Sequence, residues 1–254
     1  MRNPLSIRGL GREVKGTLRH GEQGLMVKPQ GFQGWDGLPA GRRETLARAV
    51  SHGEHDVPVR LPARVITIDG HAIADSEFDL GRLCKQVTGW GATGDRFALV
   101  VEHQREMRFA NVRSILREAP DRGVRDGRTF IADFQVQFVA ADPRKYGETR
   151  SHPETGTATT IDAFHYGNFP AHPVIEIPSA PSSYTVTSPG GTFTVTGATA
   201  GGTHQIDMRT GRVTRDGVWM PGVGGGPLWA VPDGEAWTHT LSVPGRVLMT
   251  DTDV

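Results

Sequence analysis

The run FIADFQVQFVAADPRKY, residues 130–146, constrains this chain more than any other part of it. Phe130, Ala132, Phe134, Val136, Phe138 and Ala140 take every second position, with Asp133, Gln135 and Gln137 between them. Ile131 and Val139 are the apolar exceptions. A period of two puts one face in a core and the other toward solvent or a partner, so the run predicts a long antiparallel strand. It stops at Asp142-Pro143, because proline lacks the backbone donor that a ladder needs. A strand of this kind is scaffold and implies no chemistry.

A length of 254 residues allows one large domain or two ordinary ones, each with its own core. Lysine plus arginine equals aspartate plus glutamate at 28 each, so no global charge drives the chain toward DNA or anionic membranes. High glycine (33) and proline (17) suit many short strands joined by turns. A lone cysteine, Cys84, excludes an intrachain disulfide framework and a cysteine-based zinc site, and its place in an apolar helical pattern makes it a packing residue. Neither a signal-peptide run nor a stretch of about 20 apolar residues is present, so a soluble protein made in a cytoplasm is expected.

The first 60 residues are polar, rich in glycine and arginine, and weakly periodic. Residues 24–27 predict a short strand, and GFQGWDG (31–37) a glycine-punctuated loop with two aromatic anchors. Too few apolar side chains are present for a core of its own, so residues 31–62 are expected to be an arm that wraps its own domain or orders on a neighbouring subunit. A strand follows at 64–69 and ends at Gly70. Ser76 then caps a helix over 76–87, with Glu77 and Asp79 in its first turn and Leu80, Leu83, Cys84 and Val87 in one apolar stripe. Gly89 and Gly91 close it. Strands at 97–102 and 107–116, joined by a turn at 103–106, lead to the long strand.

This order predicts a mainly β protein in two parts. Residues 1–150 form an α+β domain with one helix, 151–170 a Thr-, Gly- and Pro-rich linker, and 171–254 an all-β sandwich. The sandwich is read from short alternating runs at 174–177, 184–187, 192–196, 204–208, 212–213 and 241–248, nearly all separated by Gly or Pro.

Little in the chain points to catalysis. His52, Glu54, His55 and Asp56 could ligate metal, but the histidines are three apart beside a glycine and read as solvated loop residues. His71 has no companions for a site. The nucleophile elbow, the P-loop and the dinucleotide fingerprint are all missing, and GVGGG (222–226) reads as a flexible loop between strands. No cofactor or metal is expected. The arginines of the first third (Arg42, Arg43, Arg48, Arg60 and Arg64) mix with Glu44, Glu54 and Asp56, a pattern that fits a subunit interface better than nucleic acid. Phe32, Trp35, Arg42, Arg43, Arg60 and Arg64 are therefore the candidate interface residues. Trp219, Trp229 and Trp237 are candidates for stacking on a sugar, although tryptophans in sandwiches mostly fill cores.

Four patches together resemble the distal tail proteins (Dit-like minor tail proteins) of long-tailed phages, in particular siphophages of actinobacterial hosts. They are WDGLPA (35–40) followed by Arg42 and Arg43; HGEHD leading into ARVITIDG; FQVQFVAADPRKYG; and NFPAHPVIEI with IDMRTGRV beyond it. The resemblance covers the whole chain and rests on the order and spacing of these patches. It implies an N-terminal domain whose six copies make a ring continuing the tail tube, with a galectin-like sandwich outside. Such a ring joins the last tube ring to the tail-tip hub and in some phages carries adsorption proteins. DNA is then only cargo in the lumen, the protein is not an enzyme, and its place is the virion's tail tip. The sugar-contacting pattern of galectins is not legible here, which leaves host-glycan binding by the C-terminal domain as the alternative role.

Overall fold

The computed structural model describes residues 5–37, 40–43, 47–48, 50–52, 54–120, 124–126 and 129–254. Strands dominate, and the chain divides into two compact units, one from Met1 to Lys145 and one from Tyr146 to Asp253.

The first unit is a closed sheet. Its strands are β1 (Ser6–Gly9), β2 (Arg12–Lys15), β3 (Gly24–Gln33), β4 (Arg64–Ala74), β5 (Phe97–His103), β6 (Glu106–Glu118), β7 (Val124–Asp126) and β8 (Thr129–Ala140). Pairing runs β1–β2–β3–β4–β8–β6–β5 and returns to β1, with β7 extending the β8 hairpin. Closure removes the free edges on which open sheets aggregate. Along β8, Ala132, Phe134, Val136, Phe138 and Ala140 are buried and Asp133 is exposed, so the predicted one-sided burial holds. Its partner β4 was expected to end at Gly70 but continues to Ala74. Gly70 is there for space: a Cβ would lie 2.3 Å from Phe134 Cζ and 2.5 Å from the Met26 carbonyl oxygen. The turn between β5 and β6 has positive φ at Gln104 (53°) and Arg105 (73°), the two-residue form that suits strand twist.

The helix α1 (Glu77–Thr88) begins as expected, with the Ser76 hydroxyl accepting from the Asp79 amide at 3.1 Å. Leu80 and Val87 are buried against the barrel core, and Leu83 and Cys84 pack at its margin. Trp90, just past the helix, meets the edge of Phe138 at 5.1 Å, and Phe97 meets it at 5.6 Å.

The second unit is a two-sheet sandwich built on β18 (Trp237–Asp253). The first half of β18 lies between β10 (Ala158–Ala163) and β12 (Tyr184–Ser188), which continues to β13 (Gly191–Val195) and β17 (Gly224–Gly225). The second half pairs with β11 (Val174–Ile177), followed by β14 (His204–Asp207), β15 (Arg212–Arg215) and β16 (Val218–Trp219). Strand β9 (Lys145–His152) also pairs with β18. Gly245 stands where β18 passes from one sheet to the other, and a Cβ there would come within 2.4 Å of Ile177 Cδ1.

Two expectations fail here. Residues 151–170 are not a plain linker, because β9 reaches His152 and β10 buries Ile161 and Ala163 against β18. Four of the six residues of β10 are Ala or Thr, with Ile161 the one large apolar side chain, so its burial depends on a partner some 80 positions away in sequence and leaves little local pattern. The 222–226 loop likewise contributes β17, paired with Thr194 and Val195.

Candidate assembly surface

Between β3 and β4 the chain leaves the barrel and returns. Arg42 and Arg60 exchange backbone hydrogen bonds of 2.7 and 3.0 Å, and Ala47 bridges Glu54 with the same antiparallel sense. The two bridges describe a hairpin arm whose turn lies near residue 51. Arg43 reaches Glu54 at 3.7 Å across it. Among its described residues between 40 and 60, Val57 is half-buried and the rest are exposed, including Arg42, Arg43, Arg48, Arg60, His52 and His55. Leu38, Pro39, Glu44, Leu46 and Gly53 lie outside the described residues.

The root of the arm is clamped by Arg64, which is only 1% exposed. Its Nη1 donates to the carbonyls of Gly34, Trp35 and Gly37 at 2.7, 2.8 and 2.7 Å, and its Nε donates to the Pro143 carbonyl at 2.8 Å. Lys145 Nζ adds a bond to the Trp35 carbonyl at 3.1 Å. Burial pulls the guanidinium's pKa down from its usual value, and the charge of Asp36 opposes that shift. These bonds satisfy carbonyls that the departing chain removes from the ladder, and a planar fork of donors suits the task better than an ammonium.

The clamp corrects three of the interface candidates. Trp35 is 5% exposed and belongs to the barrel core, with Phe32 stacked on it at 6.1 Å. Phe32 and Trp35 are therefore internal anchors of the strand exit, and Arg64 is their partner. With β1, β2 and β3 inside the barrel, the arm shrinks from residues 31–62 to about 40–60. Sparse apolar residues make this stretch look unable to fold on itself; their partners are distant strands. Arg42, Arg43 and Arg60 stay on the surface, on the arm.

The outer face of β3, β4 and β8 is a polar ladder. Lys28 Nζ and His71 Nδ1 each approach an Asp133 oxygen at 2.8 Å, and Gln135 Nε2 donates to Asp69 at 2.7 Å. The Lys28 hydrogen bond, with help from His71, holds the Asp133 carboxyl below its usual pKa. Side chains that hydrogen-bond one another across a sheet present a surface with few unsatisfied groups.

The second unit separates the three tryptophans. Trp229 is 4% exposed and donates through Nε1 to His239 Nε2 at 3.1 Å, while His239 Nδ1 faces the Trp237 carbonyl at 3.0 Å. That arrangement is a neutral imidazole, and burial depresses the pKa of His239. Trp229 is thus core, and Trp237 is half-buried with Nε1 on Glu235. Only Trp219 among the three keeps an open face, at 55% exposure, with the Arg212 guanidinium 5.3 Å from its ring centre. Among the described residues no cluster of three metal-capable side chains forms.

No protein-family model and no curated protein sequence matches this chain. Solved structures do. The Dit protein (gp 19.1) of phage SPP1, a paradigm of the hub adsorption apparatus in phages that infect Gram-positive bacteria, is similar over 98% of this chain and 99% of its own, with a TM-score of 0.74 at 15% identity. A chain of the phage P2 baseplate, solved in its activated conformation with calcium, is similar over 99% and 98%, with a TM-score of 0.51 at 8% identity. At these identities the likeness is one of fold: the chain has the fold of a Dit-like tail protein.

Proposed function

We propose that this protein is a structural, non-catalytic part of the tail tip of a long-tailed phage, in which six copies form a ring joining the tail tube to the tail-tip hub. The supporting observation is the likeness to SPP1 Dit along nearly the full length of both chains, both units included in their order. The geometry agrees with that reading. A closed barrel supplies a rigid body, and a clamped, exposed arm supplies a means of contact with another subunit or a neighbouring tail protein. Contacts between unlike patches of identical subunits close into a ring when the rotation fits. The self-bonded polar ladder on β3, β4 and β8 suits a surface past which DNA slides without adhering. The protein would be made in the host cytoplasm and reside in the virion.

Native mass measurement of the full-length chain tests this. A species of six times the 27.5 kDa subunit mass is expected, together with ring-shaped particles that have a central hole. Labelling of intact virions that finds the protein away from the tail tip, or in no ring, overturns the proposal. A second reading, binding of a host-surface glycan, rests on the exposed ring of Trp219 alone. Binding of the intact chain to cell-wall polysaccharide that disappears in Trp219→Ala would favour it.

A further inference from the structure

Three histidines of the second unit converge on one stretch of irregular chain. Residues 226–236 run between β17 and β18, with Gly226 and Gly234 near the two ends. Trp229 and Val231 are buried, whereas Pro227, Leu228 and residues 233–236 are exposed. Among the described residues the backbone of this stretch is tied down by one isolated bridge, in which the Ala171 and Val231 amides donate to each other's carbonyls at 2.9 and 2.8 Å. Further ties come from imidazoles. His172 Nδ1 donates to the Trp229 carbonyl at 2.9 Å, His165 Nε2 donates to the Val231 carbonyl at 3.3 Å, and His239 Nε2 accepts from Trp229 Nε1 at 3.1 Å.

Two of these rings are committed to the neutral form at both nitrogens. His239 donates through Nδ1 to the Trp237 carbonyl at 3.0 Å, so its Nε2 keeps a lone pair for the indole N–H. His165 donates through Nε2, and its Nδ1 accepts from the Gly167 amide at 3.1 Å. A second proton on either ring sets N–H against N–H, and neither an indole nor an amide nitrogen can accept it. His204 is buried as deeply, but its Nδ1 meets the Tyr184 hydroxyl at 3.2 Å, and a hydroxyl can rotate to accept. His172 is half-buried, and its bond survives protonation because it is already the donor.

The charged groups nearby are placed as follows. Burial holds the pKa of His239 down; the Trp237 carbonyl and the charge of Asp162 pull it up, and His152 adds to the depression. Asp162 also accepts from the Thr238 hydroxyl at 2.6 Å. Next to His165 in the chain, the Tyr166 amide donates to Asp251, which the Arg150 guanidinium also holds, and the Asn168 amide donates to Asp253. Within residues 226–236, Asp233 is exposed and Glu235 accepts from Trp237 Nε1 at 3.3 Å.

We propose that residues 226–236 form a strap that acid releases: protonation of His239 and His165 breaks their bonds to Trp229 and Gly167, and the Trp229 indole leaves the core while both sheets of the sandwich stay paired. The released strap frees its histidines to hold protons that the closed strap resists. Closure is therefore complete above the ordinary histidine pKa of about 6.5 and weakens as pH falls from there toward the folded value. Gly226 and Gly234 give the strap ends the freedom to swing. Release uncovers an apolar site in the sandwich that is shut at neutral pH. The device belongs to a single chain and is independent of the ring.

Hydrogen exchange of the full-length chain tests this, resolved to single amides and corrected for the chemical effect of pH, at about pH 7.5 and about pH 5. The Val231 and Ala171 amides should lose about tenfold or more of their protection at the lower pH, since each proton taken up is worth up to about tenfold per pH unit. The β12–β13 and β11–β14 pairs should keep theirs. A chain carrying His165→Gln and His239→Gln keeps a neutral donor and acceptor at each site, and its strap should be equally protected at both pH values. Strap amides that stay protected at about pH 5 in the unsubstituted chain overturn the proposal, as does simultaneous loss of protection throughout the second unit. A double variant that opens with the unsubstituted pH dependence overturns it too, as does abolition of that dependence by His204→Gln. If the double variant is already open at about pH 7.5, His239→Gln alone decides: a shallower pH dependence supports the strap, and an unchanged one overturns it.

Discussion

The barrel and the arm come from one continuous stretch of chain and meet water in opposite ways. In β4 and β8 alternate side chains disappear into a shared core, and the strands hold one another in an eleven-pair register. In the arm, two short bridges hold a hairpin whose described side chains are nearly all solvated. Buried area, and with it stability, is concentrated in the barrel, and exposed side chains in the arm. The barrel core takes no side chain from the described residues between 40 and 60, whereas the root of the arm is held to the barrel by Arg64.

The hardest blow to that comparison comes from the core. Phe138→Ala, removing a ring packed by Trp90 and Phe97, should cost about 3–5 kcal/mol in urea unfolding of the first unit. Next is the clamp. Arg64→Met takes the donor from the carbonyls of Gly34, Gly37 and Pro143 and leaves Trp35 with Lys145 alone, and roughly 3 kcal/mol of destabilisation is expected by the same measurement. A cost near zero would show that the arm's root is not held as described.

A smaller effect belongs to the second unit and is read by pH. His239 is buried and neutral, with its folded pKa depressed, so the unfolded chain takes up its proton first as pH falls. Its contribution to stability is complete above the ordinary histidine pKa of about 6.5 and is lost as pH drops from there toward the folded value, by at most about 1.4 kcal/mol per pH unit. The melting temperature of the second unit should decline in that window, and His239→Gln should flatten the decline. Asp133 is depressed too, but its loss falls lower, below the ordinary carboxylate range, where the two are separable.

The smallest change in stability should follow from excising the arm. Replacing residues 42–60 by a short Gly-Ser link should shift the unfolding free energy by about 0.5 kcal/mol or less while abolishing the six-fold species. If excision costs as much as Phe138→Ala, the arm is part of the barrel's core and the contrast is wrong.

Periodicity by itself determined a good deal. The one-sided burial of β8, the cap and stripe of α1, the β5–β6 hairpin and most strands of the sandwich follow from side chains within a few positions of one another, which is where local patterns act. Two-part organisation and a mainly β fold follow in turn. Tertiary structure decided what depends on distant partners. Closure of the barrel requires β1 to find β5 across some 90 residues, and β10 gains its burial only from β18. Trp35 reads as a free anchor because glycines and polar residues surround it and Phe32 in sequence; its further companions are Arg64, Lys145 and the barrel interior. Arg64 reads as an interface residue because it belongs to a group of arginines mixed with acids, and only the convergence of four carbonyls from two segments, 34–37 and Pro143, makes its burial tolerable. Local sequence records which face of an element is apolar, whereas the identity of what covers that face is set by chain segments it does not contain.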